Sequence, residues 1–399
     1  MPVRTIPPVR SVRSRPAARL GRPGVLLVLA ILLGLIGPPV GTGVGAGIWQ
    51  VTTVDGPTYG GQWTSLAVDT SNLPHISYHA QDGQYRFGLK YASYDGAAWH
   101  VEMVDDTPGT GWYTSLAIDS SDRPHIAYHH AHDALMYARR ESSGWHIEVV
   151  DSGGDVGEHA SLRLDSGGQP AIAYTDETAR AVKYAHLTGL GWQIETVATL
   201  ITTGRMTWLS LALDSANRPH ISYYDYDTRA LKYAYNGGGG WQIAVVDAED
   251  GAGEYNAIAV DGQGRAHISY RGGGTLYGLK YAHYDGSKWI KIRVDPDFLA
   301  GDGTSIDLDQ DGCARIAYGD LKSPNRQLRY AWPDGAGWQI DIVAVAPSSG
   351  IRYDDMSIAL DQDDRPHLSF HVVGTDDLKY ALKDIPILNI KAYLPLTAR

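Results

Sequence analysis

A tryptophan that returns every 46 to 50 residues constrains this chain more than any other feature. Trp49, Trp99, Trp145, Trp192, Trp241, Trp289 and Trp338 each open a similar stretch. The copy after Trp192 shows it whole: WQIETV, a loop, SLALDSANRPHISYYD, a loop, then LKYAYNGGGG before the next Trp. Repetition at this period marks an architecture in which each unit buries its apolar face against the next.

Each copy carries four strand signals. Leu211 and Leu213 alternate with Ser210, Ala212 and Asp214; Ile221 and Tyr223 with His220 and Ser222; Leu231 and Tyr233 with Lys232 and Ala234; Trp192 and Ile194 with Gln193 and Glu195. Period-two alternation bounded by Gly, Asn and Asp reads as β-strand. The first two strands are joined by a turn that begins with Asp in every copy: Asp69, Asp119, Asp165, Asp214, Asp261, Asp309 and Asp361. Three residues later stands Asn72, Asp122, Gly168, Asn217, Gly264, Gly312 or Asp364, residues that tolerate a left-handed backbone. The pattern predicts a tight hairpin at each.

Four antiparallel strands per repeat indicate the blade of an all-β propeller, and seven tryptophans give seven blades. The chain starts with a lone Trp strand, 49–55, and ends with three strands, 356–381, that lack a fourth. The first strand is therefore expected to complete the last blade and close the ring, leaving no open edge. The propeller is assigned to 47–382 and a C-terminal tail to 383–399, ending AYLPLTAR.

Residues 1–22 hold six arginines and no acid, and 25–37 read VLLVLAILLGLIG. A basic segment, a thirteen-residue apolar run and then small residues form a secretory signal, with the cut placed after Ala46. An uncleaved membrane anchor is the alternative, although a spanning helix wants about 20 apolar residues. Either way the body is expected outside the cytoplasm, secreted or at the cell surface. The whole chain has a formal charge of −11 and the part after residue 46 has −17, which argues against nucleic acid as partner. A single cysteine, Cys313, excludes an internal disulfide. The protein is expected to be monomeric, and no cofactor is implied.

Ser93-Tyr94-Asp95-Gly96-Ala97-Ala98-Trp99 is a one-residue-short form of a Ser-x-Asp-x-Gly-x-x-Trp turn, and Tyr284-Asp285-Gly286 and Pro333-Asp334-Gly335 are weaker copies. On these turns the chain resembles the sialidase-like, Asp-box (BNR-type) propeller superfamily over 49–382. The resemblance implies a propeller fold. The segment after residue 46 lacks the early Arg-Ile-Pro motif of sialidases, so it implies a non-sialidase member. Propeller polysaccharide lyases, which use His, Tyr and Arg, are an analogy of fold.

A basic residue recurs in the third strand (Lys90, Lys183, Lys232, Lys280, Arg329, Lys379; Met136 is the exception) and a histidine in the second (His75, His125, His220, His267, His367). Recurrence favours a scaffold role, with equivalent binding sites in every blade as the alternative. A single site is sought where copies differ, on the rim shared by the loops after the Trp strand and between the second and third strands. The first set carries Trp63, Trp112, Tyr113, His159, Trp208, Tyr255 and Tyr353. The second carries Tyr85, Arg86, His130, His132, Asp176, Arg180, Asp225, Asp227, Arg229, Arg271, Asp320 and Arg326. Aromatic platforms beside Arg, His and Asp suit a sugar, whose flat faces stack on rings while its hydroxyls or carboxylates take polar groups. The ligand-binding set is taken as Trp63, Trp112, Tyr113, His159, Trp208, Tyr255, Arg229, Arg271 and His130. A glycan-active enzyme and a protein-interaction platform are the competing readings. Two metal motifs are weak. Asp307 to Gly312 imitates a calcium loop but has Tyr318 where a Glu is required, and His129, His130 and His132 lack a second ligand cluster.

Overall fold

The computed structural model describes residues 47–56, 60–81, 86–131, 133–200, 208–275, 277–322, 325–347, 351–373 and 375–384, without the side chains of 325, 347 and 351–355. The apolar segment 25–37, the cut after Ala46, and Tyr85 and His132 lie outside these residues. So do the residues after Asp384. Among the described residues no helix is long and apolar enough to cross a membrane.

The strands form seven four-stranded antiparallel sheets, each taken in chain order except one. Blade one runs Gln62–Val68, Pro74–Gln81, Phe87–Tyr94 and Trp99–Asp105. In blade seven, Ile351–Leu360, Pro366–Val372 and Asp377–Lys383 are completed by the first strand, Trp49–Asp55. Val51 pairs with Ala381, Thr52 with Tyr380 and Thr53 with Lys379, so the ring is closed by its two chain ends.

The repeated Trp earns its place at the boundaries between blades. In all seven, its ring stands edge-on to a tyrosine in the third strand of the preceding blade. Centroids lie 5.1–5.5 Å apart at 62–75°, from Trp99 on Tyr380 to Trp49 on Tyr330. Edge-to-face pairs contribute about 1 kcal/mol each beyond area burial. Around them the core is shared between blades: Leu89 and Tyr91 of blade one pack with Leu116, Ile126 and Tyr128 of blade two.

A second tie also crosses boundaries. Asp55, at the end of the closing strand, accepts hydrogen bonds from Tyr78 Oη and Lys90 Nζ of blade one, both 2.8 Å. Tyr128–Asp105, Tyr174–Asp151, Tyr270–Asp247 and Tyr318–Asp295 repeat it. The recurring histidines are scaffold too. His220 lies 2.6 Å from Tyr233 Oη on one ring nitrogen and 3.5 Å from Asp214 on the other. Burial works to raise the Asp214 carboxyl, but the Arg218 side chain and the Arg218 and Ala216 amides outweigh it and hold its pKa at about 2.

The Asp turn forms as its chemistry requires. Asp69 Oδ1 accepts the amides of Ser71 and Leu73 at 2.8 Å, and the seven residues three places on all have φ between 58° and 77°. Neighbouring turns join hands, as Thr70 N donates to Asp122 Oδ1 at 2.9 Å. The innermost strands are tied in the same way, with Ser65 Oγ accepting from Leu116 N and Ser115 Oγ from Leu162 N at 2.9 Å. Two residues past that position, which is Ala257 in blade five and serine in the others, stand Ala67, Ala117, Ala212, Ala259 and Ala359, but Arg163 in blade three and Asp307 in blade six. These two opposite charges attract each other, the one pair of its kind in a place otherwise given to alanine.

Candidate functional site

The two loop sets proposed to share a rim do so. Ala131 N bonds Gly109 O at 2.8 Å, Glu177 N bonds Asp155 O at 2.9 Å and Gly251 N bonds Arg229 O at 3.0 Å. The innermost strands of blades one, two, three, six and seven enter this rim through a bulge. Gly61, Gly111, Gly157 and Gly253 have φ of 99°, 88°, 103° and 114°. A Cβ on Gly111 would meet the Leu89 backbone at 2.8 Å, so the close approach as well as the conformation demands glycine. Two residues on, Trp63, Tyr113, His159 and Tyr255 sit in the left-handed region at φ 49–54°. A bulky side chain there is uncommon and carries a cost of order 1–3 kcal/mol that the surrounding strands sustain. Trp208 takes the same place in blade four.

These positions bring the rings together. Ring centroids run Trp63–Tyr113 5.4 Å, Tyr113–His159 4.6 Å, His159–Trp208 6.2 Å and Trp208–Tyr255 4.5 Å. Five consecutive blades thus contribute to one arc of half-buried aromatic rings. Trp112 stacks on Trp63 at 5.0 Å and 14°, and Tyr226 on Trp208 at 6.2 Å and 29°. In blade six the arc residue is Gly303.

The charged residues are placed less uniformly. Arg229 is exposed and forms an ion pair with Asp250. Arg271 lies between Glu254 (3.5 Å) and Asp302 (3.0 Å) and over the ring of Tyr277. His130 ends its strand, half-buried. Arg86 pairs with Asp106 at 2.8 Å in solvent. Asp176, Asp225 and Asp320 are absorbed by their own loops, each accepting backbone amides there and pairing with Lys183, Lys232 and Arg329. The side chain of Tyr353 lies outside the described residues, and its backbone belongs to a strand, not a loop.

Three neighbours were not singled out by the sequence. Glu158, Glu254 and Asp302 each stand immediately outside the arc, one residue before His159 and Tyr255 and one before Gly303. Burial, then the charges of Asp155 and Glu177, push the Glu158 carboxyl up to about 7. Burial also raises Glu254 and Asp302, against the pull of Arg271. His129 is 5% exposed, and its pKa and that of His159 are lowered by burial, His159 to about 4, so both imidazoles are neutral at pH 7.

The calcium-like run does not assemble. Asp307 accepts the Leu360 and Leu308 amides, whereas Asp309 is occupied by its own turn and Arg315. Among the described residues no three of His, Cys, Asp and Glu come together as metal ligands. A cavity of about 260 Å³ lies on the opposite face, at the turns of blades one, two and seven. Its Asp69, Asp119 and Asp361 are engaged by turn amides and histidines, so it offers no unsatisfied chemistry.

No protein-family model and no curated protein matches the chain. Solved structures do. A polysaccharide lyase, an ulvan lyase bound to -[GlcA(1-4)Rha3S]-, is 12% identical with a TM-score of 0.55, over 86% of this chain and 94% of that one. The Aleuria aurantia lectin bound to Fucα1-6GlcNAc is 12% identical at 0.49, over 73% and 98%. The intramolecular trans-sialidase from Ruminococcus gnavus is 12% identical at 0.43, over 81% and 94%. The likeness is one of fold. In the turns that carried the Asp-box resemblance, Asp95 Oδ1 accepts the amides of Ala97 and Ala98 at 2.8 Å, and Asp285 and Asp334 cap theirs likewise.

Proposed function

We propose that this chain is an exported, monomeric propeller that binds carbohydrate on the aromatic arc without altering it. One observation carries the reading: blades one, two, three and five each hold an aromatic ring on a strained backbone position, and these rings meet in one arc with Trp208 of blade four. Strain of this kind persists where function needs the geometry. A chain of half-buried rings offers the apolar face that a pyranose stacks on, and the carboxylates and arginines behind it offer partners for hydroxyls. The basic, then apolar, N-terminal segment supports export, and the acidic body supports a partner other than nucleic acid. The Asp-capped turns support a place beside the Asp-box propellers as a non-sialidase member.

The second reading is a glycan-active enzyme, favoured by Tyr113 lying between two neutral histidines with a carboxyl that titrates near 7 close by. A glycan array combined with a polysaccharide-turnover screen on residues 47–399 separates the two. Binding without product supports the first. Release of unsaturated or reducing sugar replaces it with the second, and no glycan binding overturns both in favour of a protein partner.

A further inference from the structure

The repeat lets one blade boundary be read against another. Arg271 of blade five stands opposite Leu279, and His129 of blade two stands opposite Leu135, at the same place in their strands. Asp302 and Glu158 likewise hold the same place at the start of the next blade's innermost strand, three residues before Ser305 and Ser161. At the first boundary Arg271 reaches across to Asp302 at 3.0 Å and back to Glu254, so the protein supplies its own cation. At the second the equivalent residue is a neutral imidazole, and the groups acting on Glu158 are the like charges of Asp155 and Glu177. Among the described residues no Lys or Arg pairs with Glu158 or Glu177.

His129 adds an independent sign of something missing. It is 5% exposed, neither ring nitrogen has a hydrogen-bond partner, and Nε2 lies 3.9 Å from Asp155 Oδ1. A buried imidazole nitrogen without a partner is costly, and such groups ordinarily find one in a ligand or water. The rings of Tyr113 and His159 close the place on the side of the arc.

Resting on the carbohydrate reading above, we propose that the corner formed by Glu158, Asp155, Glu177 and His129 beside Tyr113 seats a protonated amino group of the glycan, so that the ligand is an amino sugar with a free amine. An ammonium brings three N–H donors to two kinds of acceptor present here, carboxylate oxygen and the lone pair of a neutral imidazole. It also has the face of Tyr113 for a cation–π contact. The ligand supplies at blades two and three what Arg271 supplies at blades five and six.

The test is titration calorimetry on residues 47–399 at about pH 7 with a glucosamine hexamer and its fully N-acetylated counterpart, which differ in charge but not in ring shape. The wild type is expected to bind the amine form at least about ten-fold more tightly. Glu158→Gln is expected to abolish that preference by weakening binding of the amine form. His129→Arg, which copies blade five, is expected to do the same from the other side. A preference that survives Glu158→Gln overturns the assignment of the seat. Equal affinity for the two hexamers, or binding of neutral glycans alone, overturns the amino-sugar inference and leaves the carbohydrate reading standing. No binding to these or any array glycan fells both.

Discussion

Trp49 and Tyr330 meet edge to face with ring centroids 5.3 Å apart, joining the first strand of the ring to the sixth blade. Lys383, from the last strand, lies over both rings and that of Trp332. The two ends of the propeller thus share one aromatic cluster. Removing residues 47–55 would leave Asp377–Lys383 as an open sheet edge, which is prone to pair with another chain. The shortened protein is expected to form dimers or larger species in light scattering, and Trp49→Ala alone to lose about 2 kcal/mol in urea unfolding. A monomeric, equally stable truncation would show that closure does not depend on this strand.

The Tyr–Asp tie between blades permits an internal comparison. Tyr270 donates to Asp247, which is fully buried, whereas Tyr223 in the same place faces a boundary where the corresponding residue is Ala198. Tyr270→Phe leaves a buried carboxylate short of a donor and is expected to cost about 1–2 kcal/mol. Tyr223→Phe is expected to cost less than about 0.5 kcal/mol. Equal losses in chemical denaturation would mean that the hydroxyl, not the tie, matters.

Arg163 and Asp307 attract one another across a position that alanine holds in the other five blades. Burial lowers the arginine's pKa and raises the aspartate's, and each charge acts against that shift in the other. Arg163→Met is expected to destabilise by about 2 kcal/mol, and adding Asp307→Asn to recover part of that loss. Additive losses in the double variant would contradict the coupling.

Glu158 gives the site a pH signature. Its carboxyl is raised from 4.5 to about 7 by burial and by Asp155 and Glu177 on the adjoining loops, so the folded state holds the proton more tightly than the unfolded state. Its favourable contribution is therefore complete below pH 4.5 and is lost as pH rises through 7. Glu158→Gln is expected to be more stable than wild type by about 1 kcal/mol at pH 8, allowing for screening by water. The two are expected to converge at about pH 4. A difference in thermal midpoint that does not vary with pH would contradict this.

The blades were legible because their signals are local and repeated: the turn Asp, the left-handed residue three places on and the Trp are each dictated by their own neighbours in the chain. Trp63, Trp112, Tyr113, His159, Trp208 and Tyr255 could be found because they sit where copies diverge. Their contact could not, since for Trp63, Tyr113, His159 and Tyr255 it arises from a left-handed backbone whose only sequence trace is the glycine two residues earlier. Glu158, Glu254 and Asp302 escaped notice for a related reason. Their meaning lies in which of them meets Arg271, and that depends on the register of one blade against the next.

The arc itself is the most direct point of attack. Tyr113→Ala and Trp208→Ala remove central rings that touch both neighbours, at half-buried positions away from the Trp–Tyr boundary contacts. Measured by calorimetry against the best glycan from the array, each is expected to weaken binding about ten-fold or more, with a thermal midpoint close to wild type. Unchanged affinity in both variants, with the fold intact, would contradict the claim that carbohydrate is bound on these rings.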